Sequence, residues 1–147
     1  MSKHAMPPTV ITALLPLLLG ACAMAPATTG SASVAGAIRV GNQAGPAMRV
    51  CAMPVGGGAS RCTSVAAGAA RYRIDGLAAG RYHVVGWVSG ADLRLLAHAT
   101  TIRCIRAPCP PDELIVVELD EGASASDVDL AAAYAEVPAG WPQEPAG

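Results

Sequence analysis

The chain has 147 residues, of which 10 are Lys or Arg and 11 are Asp or Glu, so its formal net charge at pH 7 is −1. This balance of charge, together with the absence of Phe, argues against a protein that binds nucleic acid. A chain of this length has room for one domain with a modest hydrophobic core.

The N-terminus has the three parts of a secretory signal, which is removed from a mature protein. Lys3 and His4 form a basic start, Thr9 to Leu19 form an apolar core, and small residues follow. The apolar core is about half as long as the roughly 20 residues that a membrane-spanning helix needs. The pattern therefore predicts that this segment is cleaved and does not itself span the membrane.

The signal ends in Leu19-Gly20-Ala21-Cys22, which resembles the lipobox of bacterial lipoproteins. The resemblance implies that residues 1–21 are a signal peptide and that Cys22 becomes the lipid-modified first residue, whose several acyl chains give stable anchoring. Because Ala23 and not Asp follows Cys22, similarity to enteric lipoproteins places the anchor in the outer membrane of the cell envelope, facing the periplasm. The alternative is an ordinary signal peptide in which Cys22 is incidental.

Five cysteines are an odd number for an exported chain, and assigning Cys22 to lipid leaves four. Disulfides persist in an oxidising compartment, and the spacing lacks the C-x2-C pairs and nearby histidines of a zinc site, so we expect two disulfides and no metal. The four cysteines can pair in three ways. Cys51 and Cys62 enclose a Gly-rich stretch between two strand-like segments, so we pair them across a hairpin and pair Cys104 with Cys109.

The remaining chain is predicted to form one all-β domain between a tether and a tail. Residues 22–35 contain small residues, Pro and Thr but no charge, which predicts a flexible tether. Residues 36–133 alternate apolar with polar side chains between Gly-rich turns, which predicts a single Ig-like β-sandwich of about seven short antiparallel strands. Residues 134–147 are rich in Pro and are predicted to lie along the surface as a tail.

The clearest hairpin spans residues 81–100, in which Gly90-Ala91 suits a two-residue type II′ turn. A turn of this length fixes the register of the hairpin, because it pairs residues whose numbers sum to about 181. The register in turn determines which side chains face away from the core. Trp and Arg on that face are the residue types most enriched at interaction hot spots. We expect the face to be covered by the protein itself, through its second sheet or residues 133–141, or by an external partner. This candidate binding face places His83 opposite His98, Val85 opposite Leu96 and Trp87 opposite Arg94.

The sequence of residues 72–84, YRIDGLAAGRYHV, resembles the Y-x-I-x-G-L-x-x-G-x-Y-x-V signature of carboxypeptidase regulatory-like domains. The resemblance covers roughly residues 34–133 and implies a transthyretin-like β-sandwich, in which the G-L-x-x-G turn carries the chain between two strands. It also implies an accessory, adhesive or binding role, because these domains have no catalytic motif of their own to carry over. The matching residues are Tyr72, Ile74, Gly76, Leu77, Gly80, Tyr82 and Val84.

No set of residues in the sequence amounts to an active site. The chain has no G-x-S-x-G motif, no cysteine that stays free once the disulfides form, and no evident Asp partner in sequence for His83 or His98. We therefore expect a non-catalytic binding or structural module without a cofactor. Its expected partners are the membrane, through the N-terminal lipid, and an unidentified envelope protein or glycan.

Two other interpretations remain open. A ring closed by Cys104 and Cys109 would be stiffened by its prolines and would display Arg106, as in a peptidase-inhibitor-like protein. His83 directly opposite His98 would place two imidazoles with Cβ atoms about 5 Å apart, and such a pair binds a transition metal weakly.

Charge is distributed unevenly along the chain. The nine arginines lie between Arg39 and Arg106, whereas nine of the eleven acidic residues lie between Asp112 and Glu144. The sequence favours pairing of these opposite charges across strands over a basic surface for anionic lipid headgroups or lipopolysaccharide.

Overall fold

A computed structural model describes residues 30–90, 92–101 and 105–146. The predictions for the signal peptide, for lipidation of Cys22, for residues 22–29 of the tether and for Cys104 lie outside these residues. Within the described ranges, no helix has the length and apolar character needed to cross a membrane.

The described residues form two packed β-sheets and contain no helix, which confirms the all-β sandwich predicted from the sequence. These residues contain nine strands, two more than the approximate seven expected, because several pairings involve only two or three residues. The strands are β1 (Ala32–Ala37), β2 (Met48–Pro54), β3 (Arg61–Val65), β4 (Arg71–Leu77), β5 (Gly80–Val88), β6 (Leu95–Ala97), β7 (Val117–Leu119), β8 (Ser124–Ala125) and β9 (Ala132–Tyr134).

The smaller sheet has the strand order β4-β1-β8, and the larger sheet has the order β3-β2-β5-β6-β9. Strand β7 also belongs to the larger sheet, because it pairs with the start of β5 while β6 pairs with the end of β5. The pairing of β1 with β8 is parallel, whereas the sequence predicted antiparallel strands throughout. Beyond β8, the chain continues beside β1, since Leu130 N–H donates to the carbonyl oxygen of Ala37 at 2.9 Å.

The main hydrophobic core lies between the two sheets. Strands β1 and β4 contribute from the smaller sheet, and β2, β5 and β7 contribute from the larger one. Consecutive residues of β5 are buried on opposite faces, because this central strand has the main core on one side and a second apolar cluster on the other. The largest fully buried side chains of the main core are Ile74, Leu96, Leu130, Val34, Val50 and Val84.

The sandwich begins earlier than the predicted boundary at residue 36. Strand β1 begins at Ala32, inside the segment expected to be a flexible tether, and both Ala32 and Val34 are fully buried. The sequence of β1, ASVAGA, has too few large apolar side chains to stand out as a strand. Its small residues suit close packing, because a Cβ at Gly36 would lie 2.0 Å from the carbonyl oxygen of Val128.

The G-L-x-x-G turn connects β4 in the smaller sheet with β5 in the larger one, so it carries the chain across the sandwich as expected. Gly76 has φ of 76°, a left-handed conformation that side-chain-bearing residues rarely adopt. The hydroxyl of Tyr82 donates to the carbonyl oxygen of Ala78 at 2.8 Å and so fastens the turn to the strand that follows it.

One of the two predicted disulfides is present between described residues. Cys51 and Cys62 are directly opposite each other on β2 and β3, with Cα atoms 4.0 Å apart, and they are bonded. The Gly-rich stretch between them is the hairpin tip, where Gly57 has φ of 84°. Cys109 is also disulfide-bonded, and its pairing with Cys104 stays a prediction.

The opposite charges of the two halves of the chain pair with each other, as the sequence favoured. Three of the four ion pairs between described residues join an arginine from residues 39–106 to an acid from residues 112–144. All four lie at the surface, where such pairs contribute about 0 to 1 kcal/mol each. They are Arg39 with Asp129 at 3.0 Å, Arg49 with Glu144 at 3.4 Å, Arg81 with Glu118 at 3.4 Å, and Arg73 with Asp75 at 2.7 Å.

Asp129 connects three parts of the sandwich. Its carboxylate accepts the backbone N–H of Ala37 at 2.8 Å and Nε of Arg39 at 3.0 Å. Its carbonyl oxygen lies 3.0 Å from Nδ1 of His98, which must be the protonated nitrogen because a carbonyl only accepts. The bond from Ala37, followed by the bond and charge of Arg39, lowers the pKa of the Asp129 carboxyl against the opposing effect of its own desolvation.

We predict that Asp129→Asn lowers the free energy of unfolding at pH 7 by about 1 kcal/mol. The substitution removes the charged acceptor of the bonds from Ala37 and Arg39, and the partial exposure of these bonds to solvent limits the loss. The lowered pKa makes this stabilisation complete above the ordinary value of 3.8, and it is lost as pH falls through the folded-state pKa. Urea unfolding from pH 7 to about pH 2 should show the two proteins converge in acid. Asp127→Asn, at an exposed position, is the control, and an equal loss there would contradict the assignment.

Candidate functional site

The predicted register of the hairpin between β5 and β6 is wrong by one residue. The paired residues are Val85 with Ala97, Gly86 with Leu96, and Trp87 with Leu95. The connection is longer than the expected two residues, because β5 ends at Val88, whose N–H donates to the carbonyl oxygen of Arg94 at 2.9 Å. A shift of one residue moves every side chain of a strand to its other face.

This shift divides the candidate binding face between two sides of the larger sheet. Val85 and Trp87 lie in the second apolar cluster on the outer face, whereas Leu96 lies in the main core between the sheets. Val85, Trp87 and Leu96 are 1%, 3% and 0% exposed, so none of them is a free surface. Arg94 is exposed, but it lies outside β6 and does not pair with Trp87.

The two histidines are also separated by this register. His83 pairs with Met53 on the outer-face side, whereas the backbone N–H of His98 donates to Val84 and its ring bonds Asp129. The weak metal site required His83 directly opposite His98, and the structure does not provide that geometry. Among residues 30–90, 92–101 and 105–146, no three His, Cys, Asp or Glu side chains are grouped to hold a metal ion.

The outer face of the larger sheet is covered by the protein's own C-terminal segment, one of the covers that the sequence offered. Tyr134, Val137 and Trp141 pack against the cluster that contains Val85 and Trp87. Further along, Nη2 of Arg49 donates to the carboxylate of Glu144 and to the carbonyl oxygen of Pro145. The segment therefore crosses the sheet from β9 to β2 as a third layer.

A trough lies on the surface of this third layer. It consists of two adjoining cavities of 550 and 380 Å³ that share His83, Gly140, Trp141 and Pro142 as lining. The larger cavity extends to residues 111–114, and the smaller one extends to the tip of the β2–β3 hairpin. We call the two cavities together the outer trough. Their volumes are in the range of ordinary ligand sites in proteins.

Trp141 has a fixed position in the outer trough. Its ring centroid is 5.0 Å from that of Tyr134, and the two ring planes make an angle of 68°, the edge-to-face arrangement that aromatic pairs prefer. The hydroxyl of Tyr134 in turn donates to the carboxylate of Asp112 at 2.7 Å. Burial and then Asp112 raise the pKa of Tyr134, so its hydroxyl stays protonated and remains a donor.

Glu113 is adjacent to this group, and its backbone is held by Thr100. Its N–H donates to the hydroxyl of Thr100 at 3.1 Å, and its carbonyl oxygen accepts the backbone N–H of Thr100 at 2.8 Å. The Glu113 side chain is exposed and has no bonded partner within the part of the chain that the structure describes. A carboxylate on a fixed backbone is therefore available at the edge of the trough.

His83 lies where the two cavities meet. Its desolvation by burial, and secondarily the charge of Arg81, lower the pKa of the imidazole from its ordinary value of 6.5. The ring is therefore mostly neutral at pH 7 and offers one donor and one acceptor. No hydrogen bond to this ring forms within the described residues, so nothing there orients it as a general base.

A separate cavity of 530 Å³ lies between Arg49, Glu144 and Trp87. Nε1 of Trp87 is buried and has no hydrogen-bond partner among the described residues. The bonds from Arg49 hold the end of the C-terminal segment over this region of the sheet. The indole nitrogen of Trp87 is thus enclosed. None of the residues that line both cavities of the outer trough also lines this separate cavity.

The loop proposed for inhibitor-like recognition extends from the sandwich. Ile105, next to Arg106, is fully exposed at 101%, and Cys109 is disulfide-bonded. Arg106 is exposed but has a partner in the protein. The loop therefore displays an apolar and a basic side chain next to each other.

Of the residues that line the outer trough, the sequence pointed to His83 as a candidate site residue but not to Asp112, Glu113, Tyr134 or Trp141. They come from two segments, 111–114 and 134–142, that are separated along the chain and have no regular alternation. Trp141 itself could have indicated the site, because it is one of only two Trp in the chain. It also lies in the segment 133–141, one of the covers expected for the candidate binding face. The chain matches no protein-family model, no curated protein and no solved structure.

Proposed function

We propose that this chain is a lipid-anchored, non-catalytic β-sandwich of the bacterial cell envelope that binds a partner through the outer trough. The main support for the proposal is the trough itself. Trp141 has a fixed position there, and the same cavity is lined by the polar residues Asp112 and Glu113. Concave sites with an apolar lining and a few placed polar groups are the usual form of binding sites.

The proposed location rests on the N-terminal sequence. The lipobox resemblance of residues 19–22 gives the anchor at Cys22, and the residue after it favours the outer membrane, facing the periplasm. The signature of residues 72–84 supports an accessory or binding module of the carboxypeptidase regulatory-like type. The disulfide between Cys51 and Cys62 agrees with an oxidising compartment.

The proposal that the module has no catalytic activity is supported by the surroundings of the two histidines. Nδ1 of His98 is bonded to a backbone carbonyl, and His83 has no carboxylate partner within the described residues. Both serine and cysteine nucleophiles require a base within hydrogen-bond reach and a group that orients the base. His98 has an orienting bond, but among the described residues no Ser or Cys side chain is hydrogen-bonded to the ring of either His83 or His98.

The loop that displays Arg106 gives a second candidate function. The complete exposure of Ile105 beside it favours a role in recognition, because a large apolar side chain held in water is stabilised when a partner covers it. In this candidate the chain is a peptidase-inhibitor-like protein, and Arg106 enters an acidic specificity pocket of the target.

One experiment tests the location and the binding site together, by fractionation and crosslinking of intact cells that express the full chain. We expect Cys22→Ala to move the protein from membranes to the soluble fraction and to abolish incorporation of labelled acyl chains. Acyl labelling that persists in this variant would contradict the anchor.

In the same cells, we expect Trp141→Ala to remove a crosslinked species. Ile115→Ala is the control, because it also removes a partly exposed apolar side chain, and it should leave that species in place. Loss of the species in Arg106→Ala alone would replace the trough with the loop. Hydrolytic turnover by the purified chain that His83→Ala abolishes without unfolding would refute the non-catalytic proposal.

A further inference from the structure

The outer trough has a marked charge preference. Among the residues that the structure describes, the ionisable side chains that line its two cavities are His83, Asp112, Glu113 and Tyr134, and none of the described lining residues is a Lys or Arg. The exposed Glu113 carboxylate makes the trough unfavourable for phosphate, sulfate or carboxylate groups of a ligand. His83 does not offset this charge at pH 7, because burial keeps its imidazole mostly uncharged.

The two carboxylates have different roles in the trough. Asp112 accepts the hydroxyl of Tyr134 at 2.7 Å and thereby helps to fix the aromatic pair. The Glu113 carboxylate is exposed, and its backbone is fastened to Thr100 by bonds of 2.8 and 3.1 Å. The free carboxylate at the edge of the trough is therefore that of Glu113. Its bonds to Thr100 fix the backbone from which this side chain extends.

Trp141 adds a second group that attracts cations. Indole has the strongest cation–π attraction of the aromatic side chains, and the attraction grows as the pair is shielded from solvent. The edge-to-face contact with Tyr134 fixes the indole before a ligand arrives, and Pro138 and Pro142 on either side of it restrict the backbone. Binding therefore immobilises few side chains, which keeps its entropic cost low.

We propose that the outer trough binds an arginine side chain of an extended segment of a partner protein, with the guanidinium between the Trp141 indole and the Glu113 carboxylate. Arginine fits better than lysine, because a planar guanidinium stacks on an aromatic ring and still directs two N–H donors to a carboxylate. This inference rests on the proposed function and specifies the chemistry of its partner.

The test uses the full chain purified in detergent and three soluble probes. The first is the peptide Gly-Arg-Gly-Arg-Gly-Gly, the second replaces both arginines with citrulline, which has the same shape without charge, and the third is chitohexaose, a neutral glycan. Binding is measured by the change in tryptophan fluorescence and by calorimetry. We expect the citrulline peptide to bind about tenfold more weakly than the arginine peptide, with chitohexaose showing no saturable binding.

Variants of the chain then assign the two contacts. We expect Glu113→Gln to weaken binding of the arginine peptide about fivefold and to leave binding of the citrulline peptide unchanged. Trp141→Phe, which keeps a weaker aromatic ring in place, should weaken arginine binding by about threefold. Asp127→Asn removes the same charge at an exposed position that lines neither cavity, so it is the matched control and should have no effect.

Equal binding of the arginine and citrulline peptides, or tighter binding of chitohexaose that depends on Trp141, would overturn the assignment of a cationic ligand. In both cases the trough would still be a binding site, and the proposed function would stand. Failure of all three probes, while crosslinking in cells still depends on Trp141, would refute the arginine assignment alone. Failure of the probes and of that crosslinking together would refute the proposed function as well.

Discussion

Gly36→Ala is expected to destabilise the protein by about 4 kcal/mol, because the added methyl group would overlap backbone atoms of the neighbouring segment. The new Cβ would lie 2.0 Å from the carbonyl oxygen of Val128, which is a backbone atom. That carbonyl cannot move aside easily, because the hydroxyl of Tyr72 donates to it at 2.5 Å and the N–H of Val128 donates to Ala35 at 3.1 Å.

Urea unfolding of the purified chain measures this effect, with Gly56→Ala as the matched control. A Cβ at Gly56 has no atom within 4 Å, and its φ is not in the left-handed region. The control should change the free energy of unfolding by less than about 0.5 kcal/mol. Similar stability of the two variants would mean that β1 and residues 128–130 do not pack as closely as the structure shows.

Leu130→Ala is expected to cost about 3 kcal/mol, because it removes three buried carbon atoms and leaves a cavity in the main core. Leu130 is fully buried, and its side chain lies over Gly86, where a Cβ would come within 3.1 Å of it. It therefore fills the space between the segment beside β1 and the centre of β5.

The control for this prediction is Ile115→Ala, at a side chain that is 37% exposed. Its smaller buried area predicts a loss of about 1 kcal/mol or less. Chemical unfolding measures both variants, and a loss below about 1 kcal/mol for Leu130→Ala would show that the core collapses into the space.

The sequence predicted the fold class well because alternation is a local property. Tyr72 and Ile74 alternate with charged residues on β4, and their burial follows from that pattern without knowledge of the partner strands. The turn at residues 76–80 was expected from the resemblance of residues 72–84 to a known signature, and Gly76 there has φ of 76°. The first disulfide followed from two cysteines on either side of a Gly-rich hairpin tip.

The site was less predictable because it depends on contacts between distant segments. The face of Leu96 and His98 was set by a loop whose length the sequence did not reveal, and an error of one residue there exchanged the two faces. Trp141 and Glu113 line one cavity of the outer trough only after the C-terminal segment has folded over the sheet. Neither segment has a periodicity that marks a site.

The third layer also constrains the order in which parts of the protein can fold. The outer face of the larger sheet, with Val85 and Trp87, is made from residues synthesised well before Tyr134, Val137 and Trp141, which cover it. During synthesis, this apolar face has no cover from the C-terminal segment until that segment has been made. A chain cut before Tyr134 would leave Val85 and Trp87 without this cover, and an exposed apolar surface of this kind favours aggregation.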